Sequence, residues 1–376
     1  NLISAESIIR QFMYGKRFFE SEFGQAPRVL WLPDCFGFSG NLPQFLKGCG
    51  VDWFITQKLS WNETNTFPHH LFVWEGIDGS RVLAHQLPTN DYNFSNNPSS
   101  FLETEKRYAQ SELCDAFLNL YGIGDGGGGP TRDHIEYGLR QQSLEGVSKF
   151  RSASSADFFA HLSGLDPSQL PVAYGELYLE FHRGTYTTQA RMKQDNRGSE
   201  KLLAAAEFMA VLAGHAYPEP LRRIWQDTLL LQFHDIIPGS SITPVYEDAH
   251  TISAANHAQL KDYLAATARE LADSGTPCQE ASYLVFNPSN QELDEWHAFP
   301  QELQGLVPLN EYSTELASLE TENALLARIR VPAWGCLLLQ FSTNGYLPKT
   351  EASTASLTLE NRFLKAELTE TGGIRS

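Results

Sequence analysis

Apolar residues at Leu2, Ile8, Ile9, Phe12, Met13, Phe18, Phe19 and Phe23 recur at mixed spacings of three and four. That period is helical, and Ser4-Ala5-Glu6-Ser7 offers a cap, so the chain should open on an amphipathic helix whose apolar face joins a core. Next comes a continuous apolar run, Arg28-Val29-Leu30-Trp31-Leu32, which stops at Pro33-Asp34-Cys35-Phe36-Gly37. It reads as a buried strand with a carboxylate at its tip. A short helix around Leu42, Phe45 and Leu46 and a second apolar strand from Asp52 to Thr56 follow, and strand, helix, strand in that order predicts parallel pairing. Two further runs, 71–75 and 81–85, flank Asp78-Gly79, the turn signal of a β-hairpin.

Beyond a polar loop at 89–100, the pattern predicts a helix through Leu102 and Tyr108 and an apolar strand at 116–121. That strand runs into Gly122-Ile123-Gly124-Asp125-Gly126-Gly127-Gly128-Gly129. A helix from 132 to 144, a strand at 149–152, a helix at 155–162 and a strand at 173–179 complete an alternating α/β unit over residues 1–181. From His182 to about Gly275 strand signals nearly vanish and long helical patterns dominate, which predicts a helical bundle over 182–275. Short runs broken by Pro, Gly and Asn fill 281–376 and predict an all-β region. The expected class is therefore multidomain: α/β, then a helical bundle, then the start of an all-β part.

Composition leaves this picture in place and narrows the partners. With 42% hydrophobic residues and no long apolar run, nothing in the chain of 376 residues is suited to span a bilayer. A formal net charge of -17 disfavours nucleic acid, which is held by clustered Lys and Arg. Five scattered cysteines without a CxxC spacing point to a reducing, cytoplasmic compartment and away from a thiolate metal site.

Three constellations could carry chemistry. Asp34 and Asp125 each follow a predicted buried strand, and hydrolysis of a glycosidic bond needs two such carboxylates, although any α/β protein has several strand-end acids. His234-Asp235 interrupts the apolar helical run Leu229-Leu230-Leu231 just before Pro238-Gly239; a histidine there is more often a hydrogen-bonded core residue than a metal ligand. Alternating acids and aromatic residues from Tyr174 to Tyr186 suit a sugar-lined cleft as well as an ordinary strand edge. The glycine run lacks the Lys-Ser/Thr ending of a phosphate-binding loop.

Taken in series, the Trp31–Gly40 block, 72–85, 122–131, 175–188 and the Gln-Phe-His-Asp-Ile-Ile-Pro-Gly-Ser-Ser run from Gln232 resemble the zinc-dependent α-mannosidases of glycoside hydrolase family 38, in their bacterial and cytosolic-type branch. The resemblance implies a partial (β/α)7-barrel-like catalytic domain followed by the bundle and the beginning of a β-sandwich. It implies a retaining, exo-acting hydrolase of terminal α-linked mannose working by zinc-assisted double displacement. Asp34 matches the nucleophile and a zinc ligand, His234 a second zinc ligand, and Asp125 the acid/base. Phe36, Lys58, Tyr92 and Asn93 match substrate-contacting positions. The family's other two zinc ligands come from a His-x-Asp motif, which is absent upstream of Asp34, so they are expected from an N-terminal segment outside this sequence, and the activity of this stretch by itself is left open. The expected partner is a mannose-containing oligosaccharide or glycoconjugate, with no nucleic acid, no membrane, and self-association undecided. The alternatives are a non-catalytic carbohydrate-binding or structural protein on the same fold, and a metal-dependent deacetylase or phosphoesterase on a related barrel.

Overall fold

The structure is a computed structural model that describes residues 2–273, 282–345, 347, 357–360, 362–371 and 373–375. It is mixed α/β, as the sequence predicts. Eight α-helices are described, α1 (Ala5–Phe23), α2 (Leu42–Gly48), α3 (Pro98–Arg107), α4 (Arg132–Arg140), α5 (Ser155–Leu162), α6 (Ala190–Leu212), α7 (Glu219–Leu231) and α8 (Thr243–Asp273). The first sheet is built from β1 (Val29–Trp31), β2 (Trp53–Thr56), β3 (Leu71–Glu75), β4 (Arg81–Gln86) and β5 (Val172–Tyr174) in the order β1-β2-β4-β3-β5. β1 with β2, β2 with β4 and β3 with β5 are parallel; β3 and β4 form the antiparallel hairpin. The expected parallel pairing and hairpin are therefore both present.

The chain divides into two compact units, one of residues 1–203 and 222–259, the other of 204–221 and 260–376. In the first, α1 is capped by the Ser4 hydroxyl, which accepts from the Ser7 amide at 3.2 Å. Ile8 and Phe12 pack on a core of Phe38, Leu46, Phe54, Phe72 and Trp74. The far end of the helix departs from expectation: Phe18, Phe19 and Phe23 are exposed, with Phe19 edge-on to Phe18 and tilted against Phe23. A second core, around Ile55, Leu71, Leu87 and Phe159, covers the other face of the sheet. A sheet buried on both faces explains why its strands read as unbroken apolar runs.

Three strand expectations need correction. Residues 116–121 join no ladder, only an isolated parallel bridge between Phe94 and Tyr121. Their apolar side chains, Ala116, Phe117, Leu118 and Leu120, pack against the second core, so the sequence signal came from burial and not from pairing. Residues 149–152 form no strand either, and the expected strand at 173–179 shortens to β5 plus a bridge from Leu177 to Phe38. The helix expected to reach residue 144 stops at Arg140, where the Gln141 amide closes the last turn.

In the second unit, β6 (Ser282–Asn287), β7 (Leu293–Phe299), β8 (Val307–Leu309), β9 (Ser318–Glu320), β10 (Leu325–Val331) and β11 (Gly335–Ser342) make two antiparallel three-stranded sheets, β7-β10-β9 and β6-β11-β8. Alternate residues of β10 and β11, among them Leu325, Ile329, Val331, Leu337 and Leu339, fill one core between them. β12 (Thr358–Glu360) and β13 (Lys365–Glu367) form a separate hairpin within the stretch expected to start further strands. The expected bundle end at 274–275 and the expected start of the β region at 281 lie outside the described residues.

Candidate active site

Parallel pairing puts the carboxyl ends of β1, β2 and β4 on one rim, the edge where ligands gather in α/β folds. Asp34 lies just past β1, Lys58 just past β2, and Tyr92 and Asn93 beyond β4. Two buried glutamines lace these ends together: Gln57 Nε2 donates to Pro33 O at 2.7 Å, and Gln86 Nε2 donates to Gln57 O at 2.8 Å. Asp34 caps no helix, since α2 begins at Leu42 after Asn41.

Lys58 is almost fully enclosed, its side chain 4% exposed, and its ammonium pairs with Asp34 Oδ1. The same nitrogen sits 3.6 Å from the ring centre of Trp61, a cation–π contact in a desolvated place. His234 approaches from the other side, with Nε2 3.5 Å from Asp34 Oδ2 and 3.4 Å from Asp235 Oδ2. The hydrogen bond from His234, and after it Lys58, hold the Asp34 carboxyl down to about 2 against the burial that pushes it up. Reciprocally, Asp34 raises His234 above its ordinary value despite partial burial.

The His234 segment does not interrupt a helix as the sequence suggested. α7 ends at Leu231, and residues 232–239 turn tightly, with Gly239 at φ 94°, where a Cβ would lie 2.7 Å from Thr188 O. Gln232 anchors this turn: its Nε2 donates to Ser7 Oγ at 3.0 Å and to Asn196 Oδ1 at 2.9 Å. The Phe36 ring centre lies 5.4 Å from the Lys58 ammonium and meets the ring of His182 edge-on at 4.5 Å; His182 in turn meets Trp61 at 5.9 Å. A cavity of about 460 Å³ opens next to this group, lined by Phe36, Tyr186, Phe233 and His234 among others.

Asp125, Tyr92 and Asn93 form a second group. The Tyr92 hydroxyl donates to Asp125 Oδ2 at 2.6 Å, and the Gly124 amide donates to Asn93 Oδ1. Asp125 itself is exposed, in the left-handed region at φ 56°. The acceptor on Asp125 raises the Tyr92 hydroxyl well above its ordinary value, with burial and the Asp34 charge adding to the effect. Tyr92 thus touches one carboxylate and feels the other.

Sequence reasoning brought Asp34, Phe36, Lys58 and His234 together, and the structure has them in mutual reach. It missed Trp61 and His182. His182 lies within the acid-and-aromatic run that suits a cleft and a strand edge alike, while Trp61 carries no signal beyond being an isolated indole after a strand. As zinc donors, a carboxylate oxygen and an imidazole nitrogen 3.5 Å apart match the roughly 3.4 Å between two ligands that share a tetrahedral ion. Among the described residues, however, no group of three or more His, Cys, Asp or Glu side chains could hold a metal. The pair fits part of a zinc site and does not complete one. No helix of the described residues is long and apolar enough to cross a membrane.

Comparison with known proteins bears on what this rim is for. Residues 1–174 match the N-terminal domain of the glycosyl hydrolases family 38, and residues 180–271 match the α-mannosidase middle domain. α-Mannosidase G of Dictyostelium discoideum is 46% identical over 253 residues, covering 66% of this chain and 23% of that protein. Human α-mannosidase 2C1 is 36% identical over 391 aligned positions, covering 100% of this chain and 35% of that protein. The chain thus spans between about a quarter and a third of the length of these curated relatives. Among solved structures, an α-mannosidase from Enterococcus faecalis V583 superposes with a TM-score of 0.73 at 17% identity, covering 99% of this chain and 50% of that one, a likeness of fold.

Proposed function

We propose that this chain, which belongs to glycosyl hydrolase family 38, is part of a retaining, exo-acting α-mannosidase in which Asp34 is the nucleophile. The observation that carries the reading is the ionised Asp34 at a strand-end rim, held between the enclosed Lys58 ammonium and the His234 imidazole. A nucleophilic carboxylate has to be anionic at neutral pH, and a pKa near 2 supplies that. Asp125 is the second carboxyl that a double displacement requires, protonating the departing oxygen and then taking the proton of the attacking water. Tyr92 holds Asp125 by one hydrogen bond and so sets its distance from the reacting centre. Phe36, Lys58, Tyr92 and Asn93 are the proposed contacts to the mannosyl ring.

Asp34 and His234 would hold zinc, which when bound supplies Lewis-acid orientation of sugar hydroxyls; its two remaining donors are expected from a preceding His-x-Asp segment. In the proposed division of labour, residues 1–181 form the catalytic α/β part, 182–275 bring His234, and 281–376 begin the β region. The proposed substrate is a mannose-terminated oligosaccharide or glycoconjugate in the cytoplasm.

The test is release of mannose from an aryl α-mannoside, with and without added zinc, by this chain and by a form extended with the His-x-Asp segment. Metal-dependent release that disappears in Asp34→Asn supports the reading. Mannoside binding without release in both forms favours a non-catalytic carbohydrate-binding protein, and release of acetate or phosphate from model esters favours the other hydrolases.

A further inference from the structure

The segment that carries Asp125 is fixed by a side chain and not by a sheet. Residues 116–121 lie outside any ladder, and the half-buried Leu118 amide finds its acceptor on a side chain. It donates to His85 Nε2 at 3.1 Å. His85 is fully buried near the carboxyl end of β4, its ring 4.9 Å from that of Phe158. Its other nitrogen, Nδ1, lies 2.8 Å from the carbonyl oxygen of His70.

These partners determine the state of the ring. A carbonyl oxygen can only accept, so Nδ1 carries the proton; a backbone amide can only donate, so Nε2 presents its lone pair. Burial pushes the imidazole down to about 3, so the ring stays neutral at any working pH. His70 repeats the device one strand away: its Nδ1 accepts from the Ala109 amide at 3.1 Å, while its own amide and that of Leu71 donate to Gln110 Oε1 at 2.6 and 2.9 Å. The excursion between 108 and 121 is thereby pinned at both ends to the hairpin of β3 and β4. From the Leu118 pin the chain continues through the bond from Phe94 N–H to Leu120 O at 3.0 Å, then Gly124 on Asn93, to Asp125 on Tyr92.

We propose that His85 is a positioning residue: as a neutral Nε2 acceptor it sets the root of the 116–125 segment and, through it, the place of the Asp125 carboxylate. The link to catalysis rests on the acid/base reading of Asp125; the pinning itself does not.

Two variants separate the hydrogen bond from the volume. His85→Phe keeps an aromatic ring and removes the acceptor, whereas His85→Gln keeps an acceptor near the Nε2 position. The expected result in His85→Phe is exchange of the Leu118 amide faster by about tenfold, with residues 119–125 following and the amides of β1 and β2 unchanged; His85→Gln restores protection. Uniform loss of protection over the whole unit, or none at Leu118, overturns the proposal. Should His85→Phe fail to fold, nitrogen NMR of the unsubstituted protein decides: a proton on Nδ1 and a coupling from the Leu118 N–H to Nε2 support it, and a protonated Nε2 overturns it. For catalysis, His85→Phe should lower kcat on an alkyl α-mannoside more than on a dinitrophenyl α-mannoside, with KM unchanged; equal loss on both overturns the link to Asp125. If the zinc-supplemented form extended with the His-x-Asp segment, with His85 in place, releases no mannose from either substrate, the hydrolase reading fails, and the exchange and NMR results still decide the role of His85.

Discussion

Replacing Asp34 by Asn should destabilise the protein more than replacing both Asp34 and Lys58, an ordering that follows from how unequally the two side chains are buried. Asp34 is 20% exposed and has a second partner in His234, while the Lys58 side chain is 4% exposed. The downward displacement of Asp34, from 3.8 to about 2, corresponds to roughly 2.5 kcal/mol favouring its charged form, which solvent at a partly exposed carboxylate reduces to roughly 1–2 kcal/mol shared by His234 and Lys58. Lys58→Met, which removes only the smaller share, should therefore cost about 1 kcal/mol. Asp34→Asn instead strands an ammonium in an enclosed site, a situation that costs about 3–5 kcal/mol. In Asp34→Asn/Lys58→Met no charge is stranded and the cost should fall back to roughly 1–2 kcal/mol. Equilibrium urea unfolding of the four proteins in chelator measures all three differences. Additivity of the single costs within about 0.5 kcal/mol would refute the pairing.

Acid should weaken the fold through the buried histidines. Burial holds His70 down to about 4 and His85 down to about 3, against about 6.5 in an unfolded chain. Their contribution is complete above about 6.5 and is lost as pH falls toward the folded values, because the unfolded state alone takes up protons; each contributes a slope of at most about 1.4 kcal/mol per pH unit. Unfolding free energies between pH 7 and 5 should fall less steeply in His85→Gln, by up to that amount per unit, and an unchanged slope would contradict the burial of a neutral ring. Asp125→Ala should slow mannosides with poor leaving groups by at least about a hundredfold and activated aryl mannosides far less; equal losses in kcat on the two would remove Asp125 from the acid/base role. Tyr92→Phe, which deletes the hydrogen bond to Asp125, should show the same leaving-group dependence at a smaller magnitude, read from the same pair of substrates.

The α/β order, the parallel rim and the hairpin were legible because the inner strands β2, β3 and β4 are mostly buried and the turn at Asp78-Gly79 has its own residue chemistry. Asp34 was legible too, since it ends an apolar run that cannot itself hold charge, whereas Lys58 came in only through the family resemblance. Residues 116–121 misled because burial of Phe117 and Leu118 against a core yields the same apolar run as burial in a ladder. What stood in for the ladder, the lone pair of His85, has no sequence pattern at all: residue 85 and residue 118 meet only through tertiary packing. Trp61 and His182 were missed for the same reason, as their meaning comes from Lys58 and Phe36 and not from their neighbours in sequence. The exposed Phe18, Phe19 and Phe23 show the converse, a helical apolar stripe that the described residues leave uncovered.

The central claim is that Asp34 attacks the sugar and Asp125 manages the proton, which makes the reaction one of two inversions. Proton NMR of the first mannose released from an aryl α-mannoside by the zinc-supplemented protein carrying this chain tests it most directly. The account predicts α-mannose as the first-formed product, relaxing to the anomeric mixture only later; β-mannose as the first-formed product would contradict it, because a single displacement by water needs no nucleophile at Asp34.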